Sequence, residues 1–119
     1  MTAFLKYKKL PVVLLAAILI SAGFFMFNAA TGDSAIMDEL AHIPAGFSYV
    51  KFLDFRLNPE HPPLLKVLSA LPLLNLNLKF PQNHKSWTED INGQWEAGDQ
   101  FLYKLGNDAD QIIGRTRLF

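Results

Sequence analysis

Two groups of residues have side chains whose types and spacing suit acid–base or phosphate chemistry. The first is Asp38-Glu39 with His42. Asp38 and His42 stand four apart and so share one face of a helix, whereas adjacent carboxylates point about 100° apart. One carboxylate of the pair can face a pocket while the other caps or pairs. A carboxylate beside apolar surface is partly desolvated, which raises its basicity and suits it to take a proton. The plainer alternative is a solvated acidic patch that helps to set topology. The second group is Arg56-Leu57-Asn58-Pro59-Glu60-His61-Pro62-Pro63-Leu64-Leu65-Lys66. Its three prolines within five residues fix the backbone. Glu60 and His61 are thereby held near a helix N-terminus, where anions also bind. A Glu with a nearby His can hold a divalent cation, so Glu60 is a candidate metal ligand. The alternative is a rigid turn with surface side chains.

Other chemistry is thin. Trp87, Trp95, Phe101 and Tyr103 form an aromatic group. Aromatics beside a membrane anchor at its interface, with sugar stacking as the second reading. His84 has no partner at metal-ligand spacing and reads as a surface residue. No serine stands in a Ser/His/Asp arrangement. Gly93, Gly98, Gly106 and Gly114 are too spread to make a phosphate loop. The absence of cysteine excludes a disulfide scaffold, a thiol nucleophile and a thiolate zinc site.

The elements that must position these groups begin with Leu10 to Phe27, an apolar run. Eighteen residues of helix cover roughly 27 Å, close to the hydrocarbon thickness. Lys6, Lys8 and Lys9 precede the run, and the next basic residue after it is Lys51. That asymmetry predicts residues 1–9 in the cytoplasm, a transmembrane helix over 10–30 and an extracytoplasmic region over 31–119. A cleavable signal peptide is the competing reading, but the apolar centre exceeds the usual length of about 7–15 residues.

Beyond the span, Asp33 and Ser34 are N-cap candidates, and Ile36, Leu40, Ile43 and Phe47 recur at helical spacing. Pro44 is expected to kink or end this helix, with a second short helix over 47–52. Residues 54–59 read as a turn. Pro63 opens an apolar helix over 64–74, too short to span, which is expected to lie in the membrane interface. Residues 75–87 read as loop. A helix over 89–105 is weakened by Gly93 and Gly98, and Gly106 is its stop. Asp108 to Gln111 reads as a capping box for a last helix.

The length allows one small domain. Half of the 119 residues are hydrophobic and 18% are charged, and eleven basic residues balance eleven acidic ones. A neutral chain has no global field for nucleic acid. No charge falls between residues 10 and 30. The composition is that of a membrane-anchored protein, and the elements read along it are helices, so the expected fold is all-α.

The two chemical groups, in this order behind a first membrane helix, resemble the N-terminal part of GT-C type glycosyltransferases that use lipid-linked sugars. The relatives are the protein O-mannosyltransferases and the bacterial aminoarabinose transferases that modify lipid A. The resemblance rests on Asp38-Glu39 within MDELAHIPAGFSYV and on RLNPEHPPLLK, residues 56–66. It covers residues 10–75 well and 107–119 loosely. It implies a multi-pass fold of which this chain is the beginning, cut before a second membrane helix. It also implies a polyprenyl-phosphate sugar donor and an acceptor that is lipid, glycan or protein. Asp38 matches the catalytic carboxylate, and Glu39 beside it is the second candidate catalytic residue. Glu60 matches an acidic residue near the reaction centre, linked to a divalent metal in the aminoarabinose branch. His61 and Lys66 match positions near the donor phosphate, and Arg56 stands with them on the donor or acceptor side. Two rival readings are a single-pass anchored binding protein and a small secreted domain released by signal cleavage.

The predicted orientation places residue 34 outside the cytoplasm. Ser34→Cys should react with a membrane-impermeant thiol reagent in intact cells. Labelling only after lysis would reverse the topology.

Overall fold

A computed structural model describes residues 2–118, with side chains from residue 9 to residue 118. The chain divides into two units, residues 1–33 and residues 34–119. Every regular element among the described residues is helical.

The first unit is one helix, α1, Thr2–Gly32. Pro11 lies inside it. The stretch Lys9–Gly32 is long and apolar enough to cross a membrane, which suits an anchor or a signal sequence. The side chains of Lys6 and Lys8, which carry the orientation argument, lie outside the described residues.

The second unit is built around α2, Met37–Phe52. It packs against α3, Pro63–Ala70, and against α5, Gln94–Asp99. A 3-10 turn over Leu71–Asn75 continues α3. A single helical turn, α4, Lys85–Thr88, precedes α5. A π-helical turn over Gln100–Lys104 extends α5, and α6, Ala109–Thr116, closes the unit. Ile43 and Phe47 of α2, Leu73, Phe101, Leu102, Ile112 and Ile113 form the main core. A second cluster joins Ala45, Tyr49, Leu57 and Ala97, with Val67, Phe80 and Trp87 against it.

Several local expectations are corrected by packing. α2 runs through Pro44 without a break. Pro44 has no N–H to give to the carbonyl four residues back, that of Leu40. Against this carbonyl α5 brings Gly98: a Cβ there would stand 1.9 Å from the Leu40 oxygen. Tertiary contact on both sides thus holds a helix that proline alone would interrupt. The helix starts at Met37 with Ile36 as N-cap, not at Asp33 or Ser34. The Glu39 carboxylate accepts the Ile36 N–H at 2.9 Å, doing from the third helical position what a capping side chain would do.

Residues 75–87 are not all loop, because His84 caps α4 through its ring: Nδ1 accepts the Ser86 N–H. The expected helix over 89–105 begins only at Gln94. Phe101 is fully buried and Trp87 packs on the core, its ring 5.0 Å from Phe80. Only Trp95 and Tyr103 of the aromatic group are exposed, so the group as a whole is not an interfacial anchor. Other signals act where expected: Pro63 opens α3, Gly106 stops the preceding helix at φ +74°, and Asp108 accepts the Gln111 N–H.

Gly98→Ala should lower stability by about 1–3 kcal/mol, since backbone must move to admit the methyl group. Gly114 has nothing within 4 Å of a built Cβ and lies inside α6. Gly114→Ala should therefore be neutral or stabilising by up to about 1 kcal/mol. Denaturant unfolding of the full chain in micelles measures both. Equal effects would remove the close α2–α5 approach as the reason for Gly98.

Candidate functional site

The site starts from a buried lysine. Lys66 lies on the inward face of α3 and is 3% exposed. An ammonium has three protons and must find acceptors for them when withdrawn from water. Lys66 Nζ donates to the Asn58 carbonyl at 2.6 Å, to Asn58 Oδ1 at 2.7 Å and to the His61 carbonyl at 2.9 Å. The Tyr49 hydroxyl of α2 lies 3.1 Å away. Burial holds the Lys66 ammonium below its ordinary pKa, with Glu60 pulling in the opposite direction.

Asn58 is the second fixed point. It adopts a left-handed backbone, φ 49°, which asparagine tolerates better than most residues. Its side-chain amide donates to Gln94 Oε1, and its backbone N–H donates to Asn92 Oδ1 at 2.7 Å. The amide groups of those two residues then turn to Glu60. Gln94 Nε2 donates to Glu60 Oε1 at 2.8 Å, and Asn92 Nδ2 to Glu60 Oε2 at 3.2 Å. The backbone N–H of Glu60 itself, then Gln94 and Asn92, hold its carboxyl below the ordinary value. One network thus ties the 57–61 turn to α3, α2 and α5.

That turn carries His61 to His42. Their rings meet edge to face, 5.2 Å between centroids. The two rings, with Pro62, Leu64, Leu65 and Lys66, line a cleft of about 330 Å³. Burial, then the positive neighbours His61 and Lys66, push His42 below its usual pKa, while Asp38 and Glu60 pull it up. Asp38 and Glu60 therefore both act on this ring. The two chemical groups, some twenty residues apart in the chain, converge on one cleft.

The predicted residues take different parts there. Asp38 is exposed one turn before His42, and none of the described residues hydrogen-bonds to its carboxylate. Glu39 points elsewhere. It forms a two-pronged ion pair with Arg117, Nε to Oε1 and a second guanidinium nitrogen to Oε2, both at 2.8 Å. Arg117 also donates to the Ser34 carbonyl at 2.9 Å. Arg56 is held by Asp54 at 2.7 Å, donates to the Trp87 carbonyl at 3.0 Å and lies over the Trp87 ring. Lys66 turns its protons inward, so it positions the 58–61 turn. His84 is half-buried beside Ser86, 3.8 Å from Glu96.

Sequence reasoning missed His42 as a cleft residue and missed Tyr49, Asn92 and Gln94 altogether. Helical spacing from Asp38 places His42 on the right face, but nothing local points to His61 as its neighbour. Asn92 and Gln94 carry no local signal.

A divalent cation needs oxygen lone pairs around it. At Glu60 amide N–H groups surround the carboxylate, and the two amide oxygens accept from Asn58. Among the described residues no three His, Asp or Glu side chains are grouped to hold a metal ion.

The Glu39–Arg117 pair gives a pH signature. The Arg117 hydrogen bond is the main cause that holds the Glu39 carboxyl below its ordinary 4.5. The stabilisation is complete above that value and is lost as pH falls through the lower, folded-state value. Glu39→Gln should cost about 1–3 kcal/mol at neutral pH. Wild type and variant should converge in acid, once the pH lies below the lowered folded-state value. A gap of equal size in acid, read by denaturant unfolding, would assign Glu39 to packing instead.

Comparison with protein-family models, with curated proteins and with solved structures finds no match for this chain.

Proposed function

We propose that this chain is the N-terminal part of a membrane glycosyltransferase that moves a sugar from a polyprenyl-phosphate donor to an acceptor outside the cytoplasmic membrane. The observation that supports the reading is the meeting of His42 with His61 and Lys66 on one cleft with apolar walls, with the Asp38 and Glu60 carboxylates in electrostatic reach of the His42 ring. Transfer needs a proton acceptor beside an apolar surface and a positive field for the leaving phosphate. Asp38 is the carboxylate left free for the first task. An acceptor O–H or N–H attacks the anomeric carbon and its proton passes to Asp38. The bond from that carbon to the phosphate oxygen breaks, and polyprenyl phosphate leaves with the electron pair. His61 and the charge of Lys66 stand on the phosphate side, while Glu60 holds the 57–61 turn through Asn92 and Gln94. The other helices of a multi-pass fold would complete the donor and acceptor cavity.

A membrane-anchored binding protein is the second reading, favoured by the closed core of residues 34–119.

Asp38→Asn in the full-length protein keeps size and hydrogen bonding but loses proton affinity. Transfer from a polyprenyl-phosphate sugar in isolated membranes should fall on the order of 10²–10⁴-fold. Glu89→Gln, exposed between α4 and α5, is the unaffected control. Normal transfer by Asp38→Asn at matched protein level would remove the catalytic role of this carboxylate. Absence of transfer in the parent protein would favour the binding reading.

A further inference from the structure

The outward face of α3 is aliphatic. Leu64, Leu65, Leu68 and Leu71 fall in one arc at 3.6 residues per turn. Leu74 follows Leu71 by three residues, one turn of a 3-10 helix, and so joins the same stripe. All five are exposed, Leu64 by 66% and Leu65 by 73%. The opposite arc carries Lys66, Ala70 and Leu73, all buried. Lys66 is the one charged residue between Pro63 and Asn75, and it faces inward. The usual order of a surface helix is inverted, with the apolar stripe outside and the charge within.

We propose that this stripe rests on the hydrocarbon edge of a lipid bilayer, with the α3 axis along the membrane plane. Two observations favour lipid over protein as the occupant. The first is connectivity. Lys9–Gly32 is long and apolar enough to cross a membrane, and residues 33–36 alone separate α1 from α2. Five Cα steps reach at most about 18 Å. A bilayer that holds α1 therefore keeps the start of α2 within that distance of the end of α1, in reach of the headgroups. The second is composition. Protein interfaces are anchored by aromatic residues and arginine, with leucine under-represented among their hot spots. This stripe is leucine alone, which matches acyl chains and offers no group that would fix a protein partner. The inference goes beyond the transfer reaction and does not require it.

The chain has no cysteine, so single cysteines can be labelled cleanly. The full chain, reconstituted in phosphatidylcholine–phosphatidylglycerol vesicles, would carry an NBD fluorophore at Leu65→Cys or at Leu68→Cys. Both sites are exposed, so the core is left intact. Ile91→Cys, fully exposed in the turn before α5, is the reference. NBD at 65 and 68 should emit to the blue of the reference and be quenched at least twofold by nitroxide on the acyl chains. Water-like emission at both sites overturns the proposal. A blue shift without nitroxide quenching means that protein, a second copy or another segment, covers the stripe, and overturns it too. The readout is fluorescence, so a chain without transferase activity gives the same answer.

Discussion

A lysine ammonium loses its hydration when a helix turns it toward a core, and only a full set of acceptors makes that position tolerable. Lys66 meets this condition by recruiting two backbone carbonyls and an amide oxygen from residues 58–61. The 57–61 turn and its neighbours follow from that demand. The turn must bend so that those oxygens converge, which is why Asn58 sits in the left-handed region. Tyr49 must stand beside them, which sets the height of α2 against α3. The remaining amide valences of Asn58 bring in Asn92 and Gln94, and these clamp Glu60. His61 then has little choice of position, and the cleft beside His42 is a by-product of a satisfied charge.

The same economy divides the carboxylates. Glu39 is consumed by the start of α2 and by Arg117, and Glu60 by amide donors. Asp38 alone of the three keeps its lone pairs for the outside. Adjacent acids at the start of a helix thus do unlike work because a 100° rotation separates a core-side cation from open solvent.

What could be read without coordinates were features that act within a turn or two of chain. The charge-free run from residue 10 to 30, the proline that opens α3, the glycine that stops the helix before Asn107 and the Asp108 cap are of this kind. The features that escaped depend on distant partners. Pro44 reads as a breaker until Gly98, fifty-four positions on, closes over the carbonyl that it frees. Trp87 and Phe101 read as interface anchors until Phe47 and Phe80 pack on them. The candidate site divides in the same way. Its acids and histidines stand out by type, but the pairing of His42 with His61 and the amide clamp on Glu60 arise only from the α2–α3–α5 packing.

The latch between Arg117 and both Glu39 and Ser34 brings the start of the second unit beside the end of α6. A unit whose ends meet can be spliced into a connection between two neighbouring segments without pulling them apart. Residues 34–117 thus have the geometry of an insert, and Arg117 is the clasp that keeps its two ends together.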